Sequence, residues 1–293
     1  MTPPAQPPTQ PPPNHDRGLE YDLATLHRRR FLGLFTAAGF AAVAGCSADE
    51  QTAGTQTGTS TSASTSASPS FSSSATSGTT TSAATDVDEI PQETGGPYPG
   101  DGSNGPNVLT QSGIVRSDIT KSFGSASGVA TGVPLSVELT VVDAGQDKAL
   151  EGAAVYLWHC DAQGRYSLYS DGVTEENYLR GVQSADGSGK VRFTTIFPAA
   201  YMGRWPHIHF EVYASADEAT KAGQITRTSQ LALPKDVCST VYATDGYDGS
   251  AQNLSRTSLE NDNVFGDDDG VHQLATVTGD VTGGYVATLT VGV

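Results

Sequence analysis

The sequence His207-Ile208-His209 is the strongest candidate for chemistry in this chain. Apolar and polar residues alternate from His207 to Val212, which predicts a β-strand. Residues two positions apart in a strand point to the same face, so both imidazoles could reach one metal ion. Paired histidines are common metal ligands. Two alternatives stay open: exposed strand histidines without a role, and a zinc site completed by a carboxylate such as Glu211.

Other segments with the same alternation predict the elements that would position this pair. Leu135 to Val141 and Val191 to Thr195 alternate in this way, and Gly283-Gly284 predicts a hairpin turn near the C-terminus. After Asp88, only Ala214 to Ala222 could form a helix, and a short one. The predicted fold is therefore all-β, with an antiparallel β-sandwich core and long loops.

The N-terminal part of the chain predicts export rather than a folded domain. Residues 1–46 combine a Pro-rich leader, three consecutive arginines and a short apolar stretch, which is the pattern of a twin-arginine signal. The stretch ends at Cys46 in a sequence that resembles a lipobox, and an incidental cysteine after an ordinary signal is the alternative. We expect lipidation of Cys46 and a lipid anchor to the outer face of the cytoplasmic membrane. Residues 47–87 are rich in Ser and Thr and predict a disordered linker, and residues 88–293 form the folded domain.

Charge and cysteine content exclude several classes of protein. The chain has 32 acidic and 16 basic residues and a formal net charge of −16, which argues against binding to nucleic acid. Its three cysteines are too far apart for a thiolate zinc cluster. An exported protein can form disulfides, so we expect a bond between Cys160 and Cys238. His159 and His272 are expected not to be metal ligands.

The residues around the histidine pair resemble the intradiol ring-cleavage dioxygenases, non-haem iron(III) enzymes that include the catechol and protocatechuate dioxygenases. The resemblance rests first on Tyr201 to Phe210, which reads Tyr-Met-Gly-Arg-Trp-Pro-His-Ile-His-Phe. It extends to Gly164-Arg165-Tyr166 and to Gly96-Pro97-Tyr98. Arg116 to Ile119 and Ser229-Gln230-Leu231 also fit, so the resemblance covers most of the folded domain.

This resemblance implies both a metal site and a reaction. The implied iron(III) ligands are Tyr166, Tyr201, His207 and His209. Phenolate oxygens are hard anionic ligands, which suit Fe(III) better than Zn(II). Arg204 would stabilise negative charge on the aromatic ring, Tyr201 would dissociate and accept a substrate proton, and Gln230 would hydrogen-bond nearby. A small catechol-type diol and O2 would react to give a muconate-type diacid that contains both oxygen atoms.

Several features of the expected enzyme stay open. Tyr98 and Trp205 could line the substrate pocket, although either could be a packing residue. The N-terminal helical segment of the catechol-type enzymes is absent, which leaves the oligomeric state undetermined. A non-catalytic surface β-sandwich protein and a zinc-dependent hydrolase that uses the His-x-His pair are the alternative functions.

Overall fold

A computed structural model describes residues 87–293 of the chain. The predicted twin-arginine signal, the lipidation site at Cys46 and the linker up to residue 86 lie outside the described residues. The described strands are β1 (Pro134–Asp143), β2 (Lys148–Ala149), β3 (Ala154–Trp158), β4 (Arg180–Ser184), β5 (Lys190–Ile196), β6 (His207–Tyr213), β7 (Ile225–Ala232), β8 (Thr276–Asp280) and β9 (Gly284–Gly292). The described helices are α1 (Ala216–Thr220), α2 (Lys235–Val241) and α3 (Ser250–Leu254). Within residues 87–293, none of these helices is long and apolar enough to cross a membrane.

Two β-sheets make up the domain, as the alternating sequence pattern predicted. The first sheet has the order β2-β1-β9-β8, with β5 also paired to β1, and the second has the order β4-β3-β6-β7. All pairs of the second sheet are antiparallel. In the first sheet, β1 and β9 run parallel, so this sheet is mixed and not purely antiparallel. Alternation along a strand reports which face is buried and carries no information on the direction of the neighbouring strand.

The first sheet follows the predicted burial pattern, and β6 departs from it. On β1, the apolar residues from Leu135 to Val141 are buried and alternate with half-buried polar residues. All seven residues of β6 are buried. Ile208 and Phe210 belong to the apolar core, and the opposite face of β6, which carries His207 and His209, is covered as well. The histidine face of this strand is therefore enclosed by protein rather than solvated.

The helices are short and lie outside the two sheets. Helix α1 falls inside the segment where a short helix was predicted, and the Ser215 hydroxyl caps it by accepting a hydrogen bond from the Glu218 N–H. The sequence did not predict α2 or α3, because five to seven residues are too few to display a helical period. Helix α3 nevertheless has a role in the candidate site, since it holds the segment that leads to Tyr201.

Candidate active site

The second sheet places four side chains in one row that includes His209. Arg180 on β4 lies opposite Trp158 on β3, Trp158 lies opposite His209 on β6, and His209 lies opposite Gln230 on β7. Directly opposed residues of neighbouring strands share a face of the sheet. His207 is two residues before His209 and lies on the same face. The strand register therefore brings the histidine pair between a tryptophan and a glutamine that are distant in the sequence.

Both imidazoles are held in fixed orientations. The Nδ1–H of His207 donates to the Trp205 carbonyl oxygen, which leaves the Nε2 lone pair free to act as a ligand. The His209 ring stacks on Trp158, with centroids 4.9 Å apart. The ring also lies close to Gly96, where an added Cβ atom would be 3.2 Å from His209 Cε1 and where φ is +68°. Glycine is required at this position because of both the close approach and the positive φ.

The two predicted tyrosine ligands come from loops on either side of β4 and β5. Tyr166 lies between β3 and β4, and its backbone N–H donates to the Ser170 hydroxyl over 2.9 Å. Its side chain is fully buried. Tyr201 lies between β5 and β6 and is only partly buried. The residue before it, Ala200, accepts a hydrogen bond of 2.9 Å at its carbonyl oxygen from the Asn253 side chain of α3.

Four donor atoms converge at the end of these elements. Tyr201 Oη lies 3.5 Å from Tyr166 Oη and 3.2 Å from His207 Nε2. His207 Nε2 lies 3.1 Å from His209 Nε2. Ligand atoms that surround one transition-metal ion at about 2 Å are themselves about 3 Å apart. The spacing and the chemistry of this set, two phenol oxygens and two imidazole nitrogens, therefore fit a metal ion with a preference for hard oxygen ligands.

The tyrosines are essential to this set. Among residues 87–293, no group of three or more His, Cys, Asp and Glu side chains could hold a metal ion. Glu211, the example of a carboxylate that could complete a zinc site, accepts a hydrogen bond of 2.7 Å from the Tyr213 hydroxyl. The described residues thus give no support to a zinc hydrolase centred on the histidine pair.

Burial sets the protonation of these side chains in the metal-free protein. Burial lowers the pKa of His207 and of His209 well below the ordinary value, and the nearby Arg204 lowers the pKa of His207 further. Both imidazoles are therefore neutral at pH 7, the form that binds a metal. Burial raises the pKa of the Tyr166 phenol, and the neighbouring Tyr201 raises it as well. A bound cation would supply the positive charge that ionises such a phenol.

Arg204 belongs to a buried hydrogen-bond network next to the four donor atoms. Its Nη2 donates to Gln230 Oε1 over 2.7 Å, and its Nε donates to Asp262 Oδ2 over 3.0 Å. The Gln230 amide in turn donates to the Thr94 carbonyl oxygen over 2.9 Å. The structure thus brings together Arg204 and Gln230, as the sequence predicted. Sequence reasoning missed Asp262, which lies 58 residues beyond Arg204 in a segment without a motif.

The two candidate pocket residues have different surroundings. Tyr98 packs its ring against Tyr166, with centroids 4.9 Å apart, and so lies beside the converging donors. Trp205 is buried, and its indole Nε1 donates to the Leu233 carbonyl oxygen over 2.9 Å. The backbone N–H of Trp205 donates to Asp262 over 2.7 Å. Trp205 therefore packs within the fold next to the site, and a direct contact of either side chain with substrate stays a prediction.

His159 is a third buried histidine, and both of its ring nitrogens are hydrogen-bonded to other groups. Burial lowers its pKa to about 4, so the ring is neutral at pH 7. Nδ1 lies 2.8 Å from the Cys160 carbonyl oxygen and donates to it, so Nε2 accepts from the Thr195 hydroxyl over 2.7 Å. With both nitrogens hydrogen-bonded, His159 has no lone pair left for a metal.

The predicted disulfide between Cys160 and Cys238 is not formed. Both cysteines are free and buried. The Cys160 thiol donates to the Ala199 carbonyl oxygen at 3.6 Å, and the Cys238 thiol interacts with the Tyr242 hydroxyl. Burial raises the pKa of both thiols. The expected disulfide was wrong because export permits a disulfide without requiring one. In the fold, each thiol has its own hydrogen-bond partner instead.

Known proteins share both the sequence pattern and the fold of this domain. Residues 104–246 match the family model described as Dioxygenase, and this segment contains all four converging donors. An intradiol ring-cleavage dioxygenase from Tetranychus urticae has a similar structure, with a TM-score of 0.56 and 24% identity over 70% of this chain and 94% of that one. A second solved dioxygenase has a TM-score of 0.55 and 24% identity over 70% of this chain and 93% of its own. Residues 104–246 thus match a dioxygenase family model, and the domain of residues 87–293 shares the fold of an intradiol ring-cleavage dioxygenase.

Proposed function

We propose that residues 88–293 form an iron(III) intradiol dioxygenase that cleaves a small catechol-type aromatic diol with O2 and releases a muconate-type diacid. The observation that carries this proposal is the convergence of two tyrosine oxygens and two histidine Nε2 atoms at separations of 3.1–3.5 Å. Two phenolates would offset most of the charge of a trivalent ion, which favours iron(III) over a divalent metal.

The two tyrosines would have different roles. Bound iron(III) would supply the positive charge that lowers the pKa of the diol and activates its ring toward O2. Tyr166 is fully buried, whereas Tyr201 is partly exposed and is followed by the exposed Met202. Tyr201 is therefore the ligand with room to move, and its Oη would accept one proton of the incoming diol. Tyr166 would stay in place and hold the site together.

Arg204 would act on the substrate ring. Its guanidinium is buried beside the histidines and is held by Gln230 and Asp262, so its positive charge is fixed in position before a substrate arrives. A preorganised charge in a water-poor site stabilises negative charge that develops during a reaction. Gln230 would keep this guanidinium oriented through its side-chain oxygen.

The visible absorption spectrum of the iron-loaded, full-length protein tests the proposal. We expect a tyrosinate-to-iron(III) band that shifts when catechol is added without oxygen and that decays to a muconate-like product when air is admitted. Substitution of Val137 by Ala, in the other sheet, provides a folded control that should retain all three responses. A protein that binds iron without a tyrosinate band would contradict the ligand assignment, and a band that never responds to any diol would contradict the activity.

We also propose that the protein is exported through the twin-arginine signal of residues 1–46 and anchored by a lipid on Cys46. The support is the sequence of that segment. Cell fractionation tests the proposal, because Cys46→Ser should move the protein from the membrane fraction to the soluble exported fraction. Replacement of the arginine pair Arg28 and Arg29 by Lys should keep the protein inside the cell. A wild-type protein that is soluble in the cytoplasm would contradict both parts.

A further inference from the structure

We infer that Asp262 is a positioning residue for the reaction. Its buried carboxylate fixes the direction of the Arg204 guanidinium and anchors the chain between Tyr201 and His207. This inference rests on the proposed function, because it assigns Asp262 a role through Arg204. The family model ends at residue 246, so Asp262 lies outside the matched segment.

The Asp262 carboxylate accepts five hydrogen bonds. Oδ2 accepts from Arg204 Nε over 3.0 Å and from the Trp205 N–H over 2.7 Å. Oδ1 accepts from Arg204 Nη2 over 3.3 Å and from the N–H groups of Val264 and Phe265 over 2.9 and 3.2 Å. The side chain has no exposed surface. The carboxylate is thus fixed in position by hydrogen-bond donors to both of its oxygens.

The contacts to Arg204 control the orientation of the guanidinium, not only its charge. Nε and Nη2 both bind the Asp262 carboxylate, which sets the plane of the guanidinium group. Gln230 then accepts from Nη2 and fixes the same edge of the group. A guanidinium held in this way cannot rotate to follow solvent or substrate, and its charge stays where the fold has placed it.

The contact to Trp205 connects Asp262 with a metal ligand. The Trp205 N–H binds the carboxylate, and the carbonyl oxygen of the same residue accepts from His207 Nδ1. Arg204 and Trp205 are therefore both tied to Asp262 within the short segment that joins Tyr201 to His207. Buried ion pairs often add little net stability, so the arrangement is better explained by position than by stability.

Two substitutions in the full-length, iron-loaded protein test the role of Asp262. Asp262→Asn keeps the shape but removes the charge. Asp262→Ser is too short to reach Arg204, yet its hydroxyl can still accept from the N–H groups that follow it. For both variants we expect kcat to fall about 10- to 100-fold, with KM and the tyrosinate band nearly unchanged. If Asp262→Asn does not fold, Asp262→Ser alone decides. A kcat within about 2-fold of the wild-type value in a folded variant would overturn the inference.

A double-mutant cycle separates positioning from a general structural role. In an Arg204→Gln background, Asp262→Asn should cause little further loss of kcat, because the residue through which it acts is gone. A purely structural role would reduce kcat equally in both backgrounds, and that result would overturn the inference. Val137→Ala, a buried substitution in the first sheet, controls for loss of stability and should leave kcat unchanged.

A measurement without iron distinguishes failure of this inference from failure of the proposed function. The Arg204 Nε–H group should give a slowly exchanging signal in nitrogen–proton correlation spectra of the iron-free protein, assigned by its absence in Arg204→Gln. We expect Asp262→Ser to shift this signal and speed its exchange. An unchanged signal would overturn the positioning role even in an active enzyme. If the wild-type protein cleaved no diol, the proposed function would fail. The Arg204 Nε–H signal of the Asp262→Ser variant would still show, by its change or lack of change, whether Asp262 holds Arg204.

Discussion

Trp158 lies flat against His209, with ring centroids 4.9 Å apart and an angle of 5° between the ring planes. The two residues are directly opposed on β3 and β6, so the stack follows from the register of the second sheet. The chain has two tryptophans, and the carbonyl oxygen of the other, Trp205, accepts a hydrogen bond from His207 Nδ1. Both tryptophans thus contact proposed iron ligands, Trp158 through its indole ring and Trp205 through its carbonyl oxygen.

This stack predicts that iron binding quenches the fluorescence of Trp158. In a Trp205→Phe variant, Trp158 is the sole source of tryptophan emission, and a light-absorbing ion bound to His209 would lie within a few ångströms of its indole. We expect most of the emission to be lost as one equivalent of iron is added, followed by fluorescence titration. The same titration of a Trp205→Phe/His209→Ala protein should leave the emission nearly constant. Full iron loading without quenching would show that His209 is not a ligand.

We predict different effects for phenylalanine substitutions at Tyr166 and Tyr201, the two proposed tyrosine ligands. Tyr166→Phe removes the buried ligand, so we expect loss of most iron binding and at least about 100-fold lower kcat/KM. Tyr201→Phe removes the partly exposed ligand, and we expect retained iron with a weaker, shifted tyrosinate band and a kcat reduced about 10- to 100-fold. Iron content, visible spectra and kinetics measure these effects.

Tyr169→Phe is the matched control for these substitutions. The Tyr169 ring packs against Tyr98, and its hydroxyl accepts from the Gly100 N–H and donates to the Asn104 carbonyl oxygen. This variant should keep its iron and its tyrosinate band. If Tyr169→Phe lost the band while Tyr166→Phe kept it, the assignment of the buried ligand would be incorrect.

Glu93 predicts a pH dependence of stability. Burial raises its pKa from 4.5 to about 8, and the nearby Asp267 adds to this effect. Between these two pH values the folded protein keeps a proton that the unfolded chain loses, so the contribution of Glu93 to stability falls as pH rises from about 4.5 to about 8. In the iron-free protein, the free energy of unfolding of the Glu93→Gln variant should therefore rise relative to that of the wild type as pH increases across this range. Denaturant unfolding at several pH values measures the difference.

Glu175→Gln controls for the change in net charge, since Glu175 is exposed. A difference between Glu93→Gln and wild type that stayed constant from pH 4.5 to pH 8 would contradict the raised pKa of Glu93.

The free cysteines predict two protected thiols. In a Cys46→Ser protein, Cys160 and Cys238 should react with a thiol reagent only very slowly while the protein is folded, because both are buried and their pKa values are raised. After denaturation without reductant, two thiols per chain should react rapidly. No reactive thiol under those conditions would mean that the two cysteines are bonded after all.

Much of the site was predictable because its central elements are local in sequence. The alternation from His207 to Val212 predicted a strand and put both imidazoles on one face, since period two is a property of any strand. The resemblance to the family added Tyr166, Tyr201, Arg204 and Gln230, and the structure brings all of them to the histidines. The all-β sandwich followed from the same alternation in other segments.

Only the tertiary structure decided how distant segments meet. The parallel pairing of β1 with β9, the row from Arg180 to Gln230 and the Trp158–His209 stack depend on strand register, which no local pattern encodes. Asp262 reaches Arg204 across 58 residues because the chain folds back, and Cys160 and Cys238 stay unbonded because each has its own partner. The sequence by itself determined which side chains could bind a metal, since residue type and strand period are local properties. Packing between residues far apart in the chain decided how close these side chains lie to one another, how deeply they are buried and which residues hydrogen-bond to them.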